Sequence, residues 1–437
     1  MFVKNKKALI SSRHGELSIY RRLVLDMLEE GLNLANPETY IKKALESEKL
    51  NRIRNADKLF VVSIGKAGSS LARGFIDVVE RRIDYGVIVA PYGYGKDVPG
   101  FHVIESGHPL IDENSLRAGE EVVANLDGAG EDDLVILLVS GGGSSALSHP
   151  PADIPFEEKQ KVIKYLMEKG AGIGEINTVR RHISVVKGGW LAFIASPAPL
   201  INFIVSDVPG DRPEDVASGP GVPDPTTHAD ALNILKKYGL VDDCKPVSDY
   251  LLAGVMDMVP ETPDENHPIF KKVSTEIILK NSIILDGIKE IIEREGHRCE
   301  IVQWNTLDEL VEKHLELIEK GEKGFYISGG EFPVGAGGGR GGPNQELAVR
   351  IGLGAKTNRA FVFAGIDTDG KDGNSGYAGG IIDSISRNIW NKRGVNVEEY
   401  LSEHNTAEVL ESSDDAIDTG PTGTNVNHLR ILFIPSF

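Results

Sequence analysis

Five clusters of glycine with charged or hydroxyl-bearing residues hold most of the chemistry this sequence can offer, and each follows a short apolar run. The first, SIGKAGSSLARG (63–74), sets Lys66 between Gly65 and Ala67-Gly68 at the mouth of a helical segment. A lysine ammonium and the unpaired NH groups of a helix start both favour an anion there. The second, VSGGGSSALSHPP (139–151), offers Gly141, Gly142 and Gly143, which let backbone NH groups approach a ligand, and Ser144 and Ser145, which add hydroxyl donors. This composition suits a phosphate cradle but is no Walker A loop, because G-x-x-x-x-G-K-[ST] occurs nowhere in the chain. The plainer readings are an exposed lysine at a turn and a glycine turn that closes a buried strand.

The third cluster, IVSDVPGDRPEDVASGPGVPDPTT (204–227), places Asp207 and Asp211 directly after an apolar run. Carboxylates so placed either hold a magnesium ion that keeps most of its waters or begin turns beside proline. In the fourth, ISGGEFPVGAGGGRGGPNQELAVR (327–350), six glycines between 335 and 342 surround Arg340, and Pro343, Asn344, Gln345 and Glu346 open a helix. The guanidinium fork matches phosphate or carboxylate, and Asn344 and Glu346 are candidates for substrate contacts. Gly337, Gly339 and Gly342 satisfy G-x-G-x-x-G, but a run this rich in glycine does so by chance. The fifth, FAGIDTDGKDGNSGYAGG (363–380), presents Asp367, Asp369 and Asp372 without the closing glutamate of an EF-hand. A magnesium ligand, a partner for a substrate hydroxyl and a solvated turn all remain open for it. His108 and His182 read as structural histidines, and no H-E-x-x-H pair or G-x-S-x-G elbow is present.

Positioning these loops requires strands that end on them. KLFVVSIG (58–65), YGVIVAP (85–91), FHVIE (101–105), DLVILLVS (133–140) and LINFIVS (200–206) are short, rich in β-branched residues and separated by helical segments. That alternation predicts a Rossmann-like, mostly parallel sheet covered by helices on both faces, with ligands beyond the carboxyl ends of its strands. A second, smaller α/β set is expected to begin near 270 with KKVSTEIILKN and to run through GFYISGG (324–330), NRAFVFAGIDTDG and the terminal LRILFIPSF. The Pro- and acid-rich stretch 259–270 is the expected boundary, giving domains of 1–265 and 266–437. Near the N-terminus, Leu17, Tyr20, Leu23, Val24, Met27 and Leu28 share one helical face, and a second helix follows Asn36-Pro37.

The formal charge of −18 excludes a general nucleic-acid binder, so any anionic ligand must be held locally. The uncharged stretch 188–206 is interrupted by Pro197 and Pro199 and is read as a helix end plus a buried strand, not as a membrane span. Only Cys244 and Cys299 are present, the N-terminus lacks an apolar signal core, and a cytoplasmic location is expected. Association into a homo-oligomer is left open.

Taken in order, GKAG (65–68), ESGHPLID (105–112), SGGGSSAL (140–147), EINTVRRHIS (175–184), SDVPGD (206–211) and ASGPGVPDPTT (217–227) resemble the glycerate 2-kinase family. SGGE (328–331), GRGGPNQELA (339–348), AGIDTDGKDG (364–373) and DTGPTGTNV (418–426) continue the match into the portion called the MOFRL domain. The resemblance implies ATP-dependent phosphorylation of D-glycerate at its 2-hydroxyl, in a cleft between two α/β domains. It also implies a catalytic lysine at Lys66 and an arginine in the second glycine loop. Many members read GGRNQE where this chain reads GGPNQE, so Pro343 takes that arginine's place and Arg340 is the nearest substitute. On this reading Gly141 to Ser145 cradle phosphate, Lys66 and Arg340 offset developing charge, and Asp207 or Asp369 holds Mg2+. The competing expectations are an NAD(P)-dependent hydroxypyruvate reductase, against which stands the lack of G-x-G-x-x-G after the early strands, and a non-catalytic binder of sugar acids or nucleotides, against which stand the clustered Lys, Arg, Asp and Ser at strand ends.

Overall fold

The computed structural model describes residues 2–332, 338–357 and 359–435. It divides into two compact units, residues 37–279 and residues 1–36 with 280–437.

The unit 37–279 is built on strands β1 (Leu59–Ile64), β2 (Tyr85–Pro91), β3 (His102–Ser106), β4 (Leu134–Val139), β5 (Leu200–Val205) and β6 (Val273–Leu279). They form one sheet in the order β3-β2-β1-β4-β5-β6 with every neighbouring pair parallel. β1, β4 and β5 are buried at every residue, as strands covered on both faces must be. Alternate side chains of β2 feed the two layers. Val87 and Val89 pack with Ala118, Val122 and Leu126 of the helix Glu113–Leu126, while Ile88 and Ala90 pack with Ala72 of the helix Gly68–Ile76. The order reverses between β1 and β4, and the loops leaving these two strands carry Lys66 and the three glycines. Such a switch point is where open α/β sheets bind ligands.

One expectation is corrected here. Val273–Leu279 does not begin the second α/β set; it pairs in parallel with β5 from Leu200↔Val273 onward and closes the first sheet. Its first residues are half-buried or exposed, as befits an edge strand, and the unit ends after Leu279 rather than in the Pro-rich stretch. Residues 188–206 fold as expected, into the helix Trp190–Ala195 and β5. Among the described residues no helix is long and apolar enough to cross a membrane.

The other unit holds β7 (Cys299–Ile301), β8 (Gly324–Gly329), β9 (Val362–Asp367), β10 (Gly379–Asp383), β11 (Ala416–Ile417) and β12 (His428–Ile434). Their order is β11-β10-β9-β12-β8-β7, and only β7 with β8 is parallel. β12 is buried at all seven residues because it lies between β8 and β9. The N-terminal helix Glu16–Leu34 belongs to this unit, not to the first sheet. A Cβ at Gly31 would stand 2.3 Å from Leu429 Cδ2 and 2.8 Å from Ile288 Cδ1, so this glycine admits β12 and the helix Asn281–Arg294 to close approach. Arg13 and Arg21 fix the same segment: Arg13 Nε is 2.8 Å and Arg21 Nε 2.6 Å from Asp383 Oδ2, and both guanidinia pair with Asp415 Oδ1. All four groups are buried, so removing any one would strand an opposing charge at several kcal/mol.

Candidate active site

After β1 the chain must turn at once into a helix, and Gly65 makes the turn at φ +102°. A Cβ there would fall 2.4 Å from the carbonyl oxygen of Ser140 and 2.5 Å from that of Gly141, so only glycine lets the two loops meet. Lys66 NH donates to the Gly141 carbonyl at 2.8 Å, Ala67 NH donates to Ser140 Oγ at 3.1 Å, and Ser140 Oγ donates to the Ile64 carbonyl at 2.9 Å. The lysine loop and the glycine loop are thus one hydrogen-bonded assembly. Lys66 is half-buried, with its ammonium 5.8 Å from the ring centre of Tyr94.

Gly142 is left-handed at φ +81° and starts the short helix Gly143–Ala146. A side chain on it would meet Lys66 Cγ at 3.1 Å, Pro91 Cγ at 3.1 Å and His108 Cδ2 at 3.3 Å, which locates the lysine stem directly against the loop. Gly142 and Ser144 are half-buried, whereas Gly141, Gly143 and Ser145 are buried. The backbone NH groups that open a helical turn have no partner within it and suit an anion's oxygens.

Several residues that fix this loop were not singled out from the sequence. Lys187 is buried and its Nζ donates to the Gly143 carbonyl at 2.8 Å. Ser144 Oγ meets Ser218 Oγ at 2.8 Å, Ser218 Oγ donates to Asn177 Oδ1 at 3.1 Å, and Arg180 Nη1 donates to the same oxygen at 3.3 Å. Ser218 takes this position through three successive left-handed residues, Ala217, Ser218 and Gly219, of which two carry side chains. Such backbone is costly and clusters at functional sites. Burial, then the nearby cations Lys159 and Arg180, holds the Lys187 ammonium well below the usual lysine range. Burial likewise lowers Lys159 to about 7 and Arg180 to about 10. A lysine after two valines (VVKGG) is a weak hint in one dimension. Its meaning appears only when the chain brings it beneath residue 143.

The second unit presents the remaining candidates. Arg340 is exposed, with Nη1 2.8 Å from Glu408 Oε1 and Nη2 2.8 Å from Glu411 Oε1. Pro343 stands first in the helix Pro343–Gly354, where its missing NH costs nothing. Asn344 is fully buried and spent: its Nδ2 donates to Asp372 Oδ1 at 3.0 Å and its Oδ1 accepts from Arg430 Nε at 2.9 Å. Asp372 also accepts from the NH groups of Asn344 and Gln345, capping the helix from a distant loop. Burial pushes the Asp372 carboxyl up to about 6 although those NH groups pull it down. Glu346 is half-buried, with Oε2 2.9 Å from His404 Nδ1. Gly337, the first glycine of the chance G-x-G-x-x-G, lies outside the described residues.

The two magnesium candidates sit at strand ends in different units. Asp207 is half-buried two residues past β5, and Asp369 is buried two residues past β9, with Oδ1 accepting from Lys371 NH at 2.8 Å. A carboxylate oriented by a backbone NH is a donor of the oxygen type that magnesium takes. The structure brings together Lys66 with Gly141 to Ser145 in one unit, and Asn344 with the Asp372 loop in the other.

Comparison with known proteins identifies the family. Residues 23–252 match a family described as "Domain of unknown function (DUF4147)", and residues 324–428 match the MOFRL family. A glycerate 2-kinase from Pyrococcus horikoshii is 35% identical, over 95% of this chain and 98% of its own length. A D-glycerate 2-kinase from Thermotoga maritima is 33% identical over 94% and 97%. A relative from Agrobacterium vitis, 35% identical over 87% and 88%, is provisionally named hydroxypyruvate reductase. The crystal structure of a Thermotoga maritima glycerate kinase superposes with a TM-score of 0.81 at 31% identity, covering 98% of this chain and 99% of that one. Identity at this level across nearly the full length of both chains, on a shared fold, means that this chain belongs to the glycerate 2-kinase family.

Proposed function

We propose that this protein transfers the γ-phosphoryl group of ATP, with Mg2+, to the 2-hydroxyl of D-glycerate, releasing 2-phosphoglycerate and ADP. The observation that carries the reading is the joining of the Lys66 turn to the glycine loop at the sheet's switch point, through the 2.8 Å bond from Lys66 NH to the Gly141 carbonyl. Phosphoryl transfer asks mainly for positioning and for charge on the moving group. Gly141 to Ser145 supply NH and hydroxyl donors, and Lys66 supplies the cation. Arg340 is assigned the second positive charge. Its pairs with Glu408 and Glu411 are solvent-exposed and therefore weak, so a phosphate can displace them. Asp207 or Asp369 would hold magnesium, whose chemistry is to neutralise phosphate oxygens. Glu346 is retained as a substrate contact, and Asn344 is reassigned to holding the helix start that carries it.

Two names among the relatives make the reductase a second reading. Against it, the first βα turn reads Gly65-Lys66-Ala67-Gly68 and lacks the fingerprint that seats a dinucleotide. Incubation with glycerate and ATP, followed by NMR of the product, tests the proposal: 2-phosphoglycerate supports it and 3-phosphoglycerate corrects the position. NADH oxidation with hydroxypyruvate and no phosphorylated product would replace it.

A further inference from the structure

Apart from the phosphate loop, the unit 37–279 buries a second set of chemically unusual neighbours. His182 Nε2 lies 3.1 Å from Glu261 Oε1 and 3.8 Å from Asp224 Oδ2, and His228 Nδ1 lies 2.8 Å from the same Glu261 oxygen. His182, His228 and Asp224 are each 2% exposed, while Glu261 opens toward solvent.

The proton positions make this cluster hard to explain as hydrogen bonding alone. His182 Nδ1 is 2.8 Å from the Thr178 carbonyl, an acceptor, so that nitrogen carries the hydrogen. In the neutral ring the Nε2 lone pair then faces two carboxylates and the Thr262 hydroxyl, whose Oγ1 lies 3.3 Å away. The Nδ1 of His228, despite its short distance to Glu261, makes no properly directed hydrogen bond, and Asp224 Oδ2 receives none among the described residues. Two buried polar atoms without a hydrogen bond, His228 Nδ1 and Asp224 Oδ2, therefore lie beside His182 Nε2, whose contact with Thr262 Oγ1 is long at 3.3 Å.

We infer that His182, His228 and Glu261 form a binding site for a divalent transition-metal ion, with zinc the best match. Two imidazole nitrogens and one carboxylate oxygen, all within 4.8 Å of one another, are a donor set zinc accepts. Bonds of about 2.0–2.1 Å in a tetrahedron separate donors by about 3.3–3.4 Å, a spacing that the observed 2.8 and 3.1 Å approach. The bond from His182 Nδ1 to the Thr178 carbonyl is the outer support that orients a metal-binding imidazole. Asp224 is steadied on its other oxygen by Arg181 Nε at 2.9 Å, and Glu261 accepts from the NH groups of His228 and Thr262 at 2.9 Å. Gly254 packs flat on the His228 ring, where a Cβ would fall 2.3 Å from Cγ. Asp224 and Glu261 also line a cavity of about 870 Å³, which gives an ion its way in.

With three protein donors and a water in the fourth position, the ion acts as a cross-link. It ties the end of the helix Ile173–His182 to the start of the helix His228–Lys237 and to the segment around Glu261. The first of these helices carries Asn177, which holds Ser218 and through it Ser144.

The experiment uses the full chain, stripped with a chelator and titrated with zinc and, separately, with cobalt(II). One equivalent of zinc should bind and raise Tm, and cobalt should develop the intense visible bands of a four-coordinate site. His228→Ala or Glu261→Gln should weaken zinc binding by at least about 10-fold, and His182→Ala serves if either folds poorly. Absence of both the Tm rise and the cobalt bands in the unmodified protein would show instead an imidazolium–carboxylate ion pair and overturn the proposal. So would undiminished zinc binding in a folded variant. Because binding and spectra are the readouts, the result stands apart from whether glycerate is the substrate.

Discussion

The ammonium of Lys187 and the carbonyl of Gly143 are joined by a 2.8 Å hydrogen bond made wholly inside the protein, on the hidden side of the glycine loop. The loop is thereby held from behind by Lys187 and at its side by Ser218, and the half-buried Lys66, Gly142 and Ser144 are the residues proposed to meet a ligand. Lys187→Met removes the shorter of the two bonds to the Gly143 carbonyl and leaves it the 3.3 Å bond from Leu147 NH. Stability should fall by about 1–3 kcal/mol in denaturant titration, and kcat for glycerate phosphorylation should fall with it. An unchanged denaturation midpoint would show that the bond holds nothing.

Lys66→Ala should abolish turnover while circular dichroism and Tm stay near those of the parent, since the hydrogen bond at residue 66 that joins the loops is made by its backbone. Near-normal turnover would remove this side chain from the chemistry.

Gly142→Ala asks a left-handed residue, φ +81°, to carry a Cβ that would meet Lys66 Cγ and Pro91 Cγ at 3.1 Å. The backbone alone should cost about 1–2 kcal/mol. Displacement of the lysine stem should lower kcat/KM more than the same substitution at Gly93, which is also left-handed but has nothing within 4 Å. Equal effects at the two positions would argue against a tight fit between loop and lysine.

Arg340→Ala should lower kcat by at least about 10-fold if the guanidinium meets the transferred group. Glu408→Gln with Glu411→Gln releases the same arginine from its ion pairs and should leave kcat intact or raise it. Loss of activity in the glutamine variant, with none in Arg340→Ala, would confine Arg340 to a surface pairing.

The pH dependence of stability should carry the signature of Asp372, whose burial lifts its carboxyl to about 6 from an ordinary 3.8. Between those values the folded protein keeps a proton that the unfolded chain has released. The stability tied to this group is therefore present below about pH 4 and lost as pH rises through about 6, at most about 3 kcal/mol. Relative to Asp372→Asn, the parent protein should gain Tm as the pH falls from 7 to 4. Parallel curves would mean that the carboxyl is ionised throughout.

Local patterning made the first sheet readable. Runs such as LFVVSI and LVILLV are continuous because both of their faces are covered, and glycine clusters mark where such strands must stop. The helix face at Val24, Met27 and Leu28 was equally clear and is buried, but what it packs on was not. Val273–Leu279 misled because an edge strand carries only a partial apolar pattern and its partner, β5, lies some seventy residues earlier. A polar residue at a helix start, such as Asn344, can serve a ligand or its own fold, and its neighbours are not legible in the sequence. Asp372 and Arg430 take up its amide.

The sequence by itself determined the kinds of loop, their order and the family to which they belong, because glycine, lysine and aspartate at strand ends have few structural uses. Only the tertiary structure decided which loops touch, what stands behind them, and that His182, expected to be a satisfied structural histidine, faces His228, Glu261 and Asp224. Those relationships join residues 40 to 80 positions apart. No periodicity records such pairings, since burial and hydrogen bonding select them only after the chain has closed on itself.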